Sequence, residues 1–582
     1  MPRNRSSRAK SETRIDTKVT PAKSAGEDSA PVESVDTPVQ RTRHVGIHLC
    51  AAALLILLFA QLFFSARHKS ATMDEPNHIA RGLAYLRTGD LRLSKEHPPL
   101  INLICALPLL FDKSITLPLE DPSWNKGDWY TFAEQLLWVT NANGPSMIAR
   151  ARIPIMVLAL LLGIITYLWA YECYGAGAAL LVLALVATDP NLLANGQLAT
   201  NDLGVACFST LTLFTFWRFL RRPNWRRALI AGASLGLALT AKFSAIFLLL
   251  VLPITALAFW LSQAAAERRP LNIKTILRFS LLIGVAGWLT LWIVYGFQFG
   301  SSRSLGFAVT APAYFDGLSA IKTRVTLSNP TFLLGDYSNE GWWYYFPVVF
   351  ALKTPVPTIL LLLLSVVFAT RKGRWRNSLI FLVPAVAYFL ICIASRFNVG
   401  YRHLLPALPL LFLFIGQLAT FDWRAHQRWV WLSAPIMLWL VVGTARIYPD
   451  YLAYFNELAG GPAAGYTRLA DSNLDWGQDL PGLRQYMERE NIDSVKLSYF
   501  GLAFPEAYGV KYEPLPSFPH HSEVTQEQLK MLRRPPPGVY AISVTNLQGV
   551  LFLGEYRYMY SWFRARQPDA RIGYSIFIYR VE

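Results

Sequence analysis

Asp74 and Glu75 stand side by side in the stretch MDEPNHIARG, directly after an apolar run of about 22 residues, long enough to cross a bilayer. A carboxylate at the edge of a membrane can accept a proton from a hydroxyl that arrives from water. Cations held close by can grip a phosphate and stabilise the charge it gains as a leaving group. The chain offers such cations at the ends of other apolar runs. KEHPPL supplies His97 with Lys95 and Glu96, ARARIP supplies Arg150 and Arg152, and LTAKFSA places Lys242 between two apolar runs. RFNVGYRHLLPALP supplies Arg396, Arg402 and His403, and NGQLATNDLG adds a further carboxylate, Asp202. Each has a plainer reading. Terminal Arg and Lys side chains snorkel to lipid headgroups, Asp202 is a good helix cap, the acidic pair suits a solvated first turn, and HPPL suits a turn into a surface helix. Lys242 has no acidic neighbour in sequence, and ionisable residues so placed tend to be functional. The chemical reading gains weight because all of these groups converge on one interface.

What must position them is a membrane bundle. The 582 residues are 53% hydrophobic and 16% charged, which excludes an ordinary soluble protein. Apolar runs predict about eleven spans, at 45–66, 148–171, 176–190, 202–220, 228–241, 243–262, 279–297, 343–370, 378–395, 402–420 and 428–447. The net charge of +17 is divided among short segments, a pattern that suits an anionic leaflet better than nucleic acid. The basic loops RRPNWRR, AERRPLNIKTILR, RKGRWRN and DWRAHQR fall on one side if the N-terminus is cytoplasmic. Residues 1–44 read as a disordered basic cytoplasmic tail and 45–447 as the transmembrane module. The segments 67–147, 298–342 and 448–582 then lie outside, the last as a small α/β domain. The five cysteines have no metal-type spacing, so neither disulfides nor zinc are expected. The sequence also lacks a P-loop or a dinucleotide-binding glycine fingerprint. A lipid-linked phosphosugar would deliver an activated bond without a nucleotide. A transporter or flippase for a lipid-linked substrate shares the spans and cations, but predicts charges at the midplane and internal symmetry, which is not evident.

MDEPNHIARG, HPPLINL, ARARIP, DPNLLANGQLATNDLG, GLALTAKFSA, YYFPVVFALKTPVP and GYRHLLPALP occur in an order that resembles the GT-C membrane glycosyltransferases. The resemblance is to the protein O-mannosyltransferase and aminoarabinose transferase group, and it extends over most of residues 45–420. YPDYLAYFNELAGG and DSNLDWGQDLP are similar to stretches of bacterial relatives, with no chemical role attached. The resemblance implies a GT-C fold, a polyprenyl-phosphate sugar donor, an extracytoplasmic acceptor (protein, lipid or glycan), and a bacterial inner-membrane location. It implies Asp74 as catalytic base, with Glu75 beside it. His97, Arg152, Asp202 and Arg402 match its donor-side positions, where His97 replaces a lysine; Lys242 and His403 join them from the pattern of charges. A β-trefoil found in mannosyltransferases has no room in 298–342. The displacement needs no general acid. No cofactor is required, although Asp74 and Asp202 could meet around a divalent cation.

Overall fold

The structure, a computed structural model, describes residues 38–263, 272–326, 330–373, 375–420, 427–521 and 523–582. Most of the tail 1–44 therefore lies outside the described residues, as do parts of the basic loops at 266–278 and 422–428. Residues Leu49–Glu582 form one compact unit. The first helix, α1 (Pro38–Ala66), starts ahead of the expected residue 45.

After α1, and before the next span, come α2 (Glu75–Thr88), α3 (Leu100–Leu110) and three shorter helical segments. The helices α2 and α3 pack so closely that a Cβ on Gly82 would sit 1.9 Å from the Asn102 carbonyl oxygen. Then follow α4 (Gly144–Tyr174), α5 (Ala176–Thr188), α6 (Pro190–Gly196), α7 (Asn201–Arg221), α8 (Trp225–Ala241), α9 (Phe243–Ser262) and α10 (Ile273–Val294). Beyond a segment with two short β-hairpins come α11 (Tyr345–Lys353), α12 (Val356–Arg371), α13 (Trp375–Ala394), α14 (Leu408–Gly416) and α15 (Gln427–Ile447).

Every expected span coincides with a helix or helix pair, but five helices among the described residues are long and apolar enough to cross a membrane. The number rises to seven if each of two bent pairs is one span. Proline explains both bends. Residues before proline are pushed out of the α region: Asp189 precedes Pro190 and breaks α5 from α6 by 63°, and Thr354-Pro355 breaks α11 from α12 by 108°. In other expected spans the apolar helical stretches among the described residues are shorter, as in Ser378–Ala394, Leu408–Thr420 and Ala434–Ile447.

Burial separates the middle from the rim. In its most apolar window α7 is 83% buried, against 17% for α1 and 22% for α10. The rim helices turn side chains such as Leu49, Ile56, Leu277, Leu281 and Ile293 outward, a surface suited to acyl chains. The chain is an integral membrane protein of mostly helical build.

After α15 the chain folds into a small α/β unit. The helix α16 (Leu480–Arg489) precedes a five-stranded sheet. Its strands are β1 (Val495–Ser498), β2 (Tyr512–Pro514), β3 (Gly538–Ser543), β4 (Ala570–Ile572) and β5 (Ile576–Val581). The order is β2-β1-β3-β5-β4, parallel across the first three and antiparallel across the rest.

Candidate active site

Asp74 is the residue just before α2, and its side chain does not cap that helix. It reaches instead to Arg402, whose Nη1 lies 2.9 Å from Asp74 Oδ2. The same Nη1 is 3.5 Å from Asp202 Oδ2, and Asp202 Oδ1 is 2.5 Å from Lys242 Nζ. Four of the expected residues, from four separate elements, thus form one chain of charge: Asp74, Arg402, Asp202 and Lys242. Asp202 enters from the first turn of α7. Its carboxylate pairs with cations, so the capping reading does not describe it. Lys242 sits in extended conformation at the break between α8 and α9, which frees its side chain from either helix. It is 12% exposed and paired, so it does not snorkel.

Arg402 lies on a short 3₁₀ turn, Tyr401–Leu404, after Gly400. Gly400 has φ +138°, and a Cβ there would meet Ser472 Oγ at 2.8 Å. The turn is pinned by DSNLDW: Ser472 Oγ donates to the Val399 carbonyl (2.6 Å) and the Tyr401 amide donates to Asn473 Oδ1 (2.9 Å). The Arg402 guanidinium stacks 4.3 Å from the centre of the Trp476 ring. The Met73 amide donates to the Trp476 carbonyl at 2.9 Å, fixing the residue before Asp74. The stretch without a chemical role in the sequence therefore holds both members of the Asp74–Arg402 pair. Asp471, at the head of that stretch, also faces this charge. Burial raises its carboxyl to about 6, with Arg402 opposing and Asp74 adding to the rise.

Glu75 goes elsewhere. Its carboxylate is fully buried and paired with Arg152 in bidentate fashion, at 2.8 and 2.7 Å. It also accepts from the amides of Thr72 and Ala199 and from the Thr72 hydroxyl. Arg152 spends its remaining donors on the carbonyls of Ala66, Lys69 and Ser70. All five guanidinium N–H groups are used. Burial opposes the charge of Glu75, but Arg152 and the two amides outweigh it and hold the carboxyl below its usual range. Glu75, expected beside the base, and Arg152, expected on the donor side, saturate each other and tie α1, α2, α4 and the turn before α7 together.

His97 is half-buried, with its ring 5.2 Å from that of His78. Burial, then the nearby His78, Arg81, Lys242 and Arg402, push its imidazole well below its usual value. The expected cation at His97 is thus a neutral ring among cations. His403 shares the 3₁₀ turn of Arg402 but packs its ring near Phe346 and Phe397. Sequence reasoning missed Arg81. It is 2% exposed on α2, stacked 4.9 Å from Trp129, with its Nε lacking a hydrogen-bond partner among the described residues. The spacing Asp74, His78, Arg81 could have found it, because i, i+4 and i+7 share a helix face. Asp74 and Asp202 both face Arg402 Nη1, which takes the place a cation would occupy between them. Among the described residues no group of three metal-type side chains is gathered, so the fit to a divalent cation is poor.

A second cluster lies behind the first. Lys69 pairs with Asp479 (2.6 Å) and with Asp450, and the Ser70 amide donates to the Gln478 carbonyl at 2.8 Å. The two tail stretches YPDYLAYFNELAGG and DSNLDWGQDLP thus lock onto the loop that leads to Asp74.

No curated protein matches the chain significantly. Among solved structures it is similar to ArnT from Cupriavidus metallidurans in the apo state, at 13% identity and a TM-score of 0.46, covering 92% of this chain and 98% of that one. The same protein bound to undecaprenyl phosphate gives 13% and 0.47, covering 91% and 97%. The oligosaccharyltransferase of Archaeoglobus fulgidus gives 14% and 0.46, covering 78% and 59%. Residues 129–300, which carry Arg152, Asp202 and Lys242, match the family model of the dolichyl-phosphate-mannose-protein mannosyltransferases, the group that the sequence resembles.

Proposed function

We propose that this protein is an inverting glycosyltransferase that moves a sugar from a polyprenyl-phosphate donor to an extracytoplasmic hydroxyl. The observation that carries the reading is the chain Asp74–Arg402–Asp202–Lys242, in which a 30% exposed carboxylate stands next to half-buried cations. The family matched by residues 129–300 uses a sugar linked to dolichyl phosphate, which supports this donor class. The basic loops support a cytoplasmic N-terminus and a site on the opposite side.

The acceptor oxygen attacks the anomeric carbon as its proton passes to Asp74. The bond from that carbon to the phosphate oxygen breaks, and the electron pair leaves with polyprenyl phosphate. Lys242, Arg402 and Arg81 stabilise the charge that builds on the phosphate. Neutral His97 can donate one N–H to it without repelling the other cations. Asp202 keeps Lys242 and Arg402 in place between turnovers. Glu75 and Arg152 hold the loop so that Asp74 points at the acceptor. No step passes through a metal ion.

The test is to incubate purified protein with a panel of polyprenyl-phosphate sugars and read the release of polyprenyl phosphate. Release from one donor, with transfer to an added acceptor, supports the proposal. Movement of intact donor across vesicle bilayers without cleavage would instead make the protein a transporter.

A further inference from the structure

A cavity of about 290 Å³ lies in the C-terminal α/β unit, away from the residues used above. Its walls come from the carboxyl end of β1, from the loops after β1 and β2, and from Glu134 in the first long loop. In the sheet, β1 has β2 on one side and β3 on the other, both parallel to it. The chain leaves β1 for β2 and then crosses to β3. The cavity lies on the β1–β2 side of that arrangement, with Leu497 of β1 and Tyr512 of β2 both in its wall. The volume is near the lower end of small-molecule sites, about 300–1,000 Å³.

The lining states a chemistry. Tyr499, Phe504 and Tyr512 supply aromatic surface, Glu134 and Glu506 supply carboxylates, and His520 supplies an imidazole. Among the described residues no Lys or Arg lines the cavity, while two carboxylates do, so the lining disfavours a phosphate. His520 Nε2 is buried and has no hydrogen-bond partner among the described residues. Buried polar atoms are normally satisfied, so this atom points to a ligand with hydroxyl or amine groups. Burial holds the imidazole below its usual value, with Glu134 opposing. A neutral ring offers one donor and one acceptor. Aromatic faces match the C–H face of a pyranose, and carboxylates match pairs of neighbouring hydroxyls.

The cavity is also tied to the Asp74 loop. Tyr499 donates its hydroxyl to the Gly477 carbonyl (2.6 Å), one residue past Trp476. Phe504 stacks on Trp138 at 6.0 Å and 14°. Tyr508, in the same loop, accepts from the Ala71 amide at 3.0 Å.

We propose that the cavity at the carboxyl end of β1 is a binding subsite for an uncharged or amino saccharide, and that this saccharide is part of the acceptor, a role that rests on the glycosyltransferase reading above. It would hold one sugar ring of the acceptor on the rigid sheet while another hydroxyl reaches Asp74.

The test uses the full chain in nanodiscs and a panel of methyl hexosides with their 2-amino and 2-acetamido counterparts, read by saturation-transfer NMR. At least one glycoside should bind saturably, and its affinity should fall tenfold or more in both His520→Ala and Glu506→Gln. Glu506 is exposed, so its variant should fold even if the other does not. Binding of no glycoside, or equal binding in folded variants, overturns the subsite. Polyprenyl-phosphate release by the unaltered chain is measured separately. Glycoside binding without any release leaves the subsite standing and removes its acceptor role with the glycosyltransferase reading. Release without glycoside binding removes the subsite alone.

Discussion

Asp74 and Glu75 are neighbours with opposite fates. Glu75 and Arg152 are 0% and 2% exposed in their side chains, and every donor and acceptor they own is used inside the protein. Asp74 is 30% exposed and Arg402 13%, and Arg402 Nε has no partner among the described residues. The first pair resembles a bolt: a desolvated charge pair that holds only while both halves are present. The second keeps reach in reserve for a ligand. Saturation, more than charge or burial, separates a residue that holds the site from one that works in it.

Breaking the bolt should have the largest effect. Glu75→Gln or Arg152→Met strands a buried charge, which costs about 3–5 kcal/mol. The expected outcome is a collapse of folded yield or of the thermal midpoint in detergent. If either variant folds normally and only slows turnover, Glu75 belongs with Asp74 after all. Lys242→Met should fold but bind donor about ten- to a hundredfold more weakly, the equivalent of a charge-assisted bond of about 1.5–3 kcal/mol. Titration of polyprenyl phosphate against the variant checks this, and unchanged affinity would remove Lys242 from the phosphate site. Trp476→Leu removes the ring stacked on Arg402, a contact of about 0.5–2 kcal/mol. Turnover should drop by about two- to thirtyfold, with the fold retained; an unchanged rate would make DSNLDW a structural latch only.

The smallest effect concerns pH. The Glu75 carboxyl sits below its usual range in the folded protein. It therefore contributes stability that is present above the ordinary unfolded value, about 4.3, and is lost as pH falls through the depressed folded value. Thermal midpoints measured from pH 6 downward should fall only below about 4 from this source. A midpoint that already declines between pH 6 and 5, and does so equally in any Glu75→Gln protein that folds, would show that other groups set the acid limit.

The sequence shows the chemistry better than its wiring. Asp74, Asp202, Lys242 and Arg402 could be named because charge is conspicuous beside apolar runs, and the structure brings them together. That Glu75 would choose Arg152, 77 positions away, is a matter of packing that no local pattern encodes. Helix positions were legible from hydropathy. The 63° and 108° breaks were not, although Pro190 and Pro355 mark them, because proline in a membrane helix is often accommodated. DSNLDW carries few groups unusual for a soluble turn, and its meaning appears only when Trp476 lies on Arg402. His97 read as a cation because a ring nitrogen is basic in water; among three cations in a half-buried place it is neutral.

The most direct measurement is the turnover of Asp74→Asn in protein that is folded and shown to bind a donor. Asparagine keeps the size of the side chain but cannot take the acceptor proton. The rate of polyprenyl-phosphate release to acceptor should fall by about 10²–10⁴, with donor affinity and thermal midpoint close to those of the unaltered chain. Near-normal turnover in that variant would contradict the assignment of Asp74 as the base and, with it, the mechanism built on this loop.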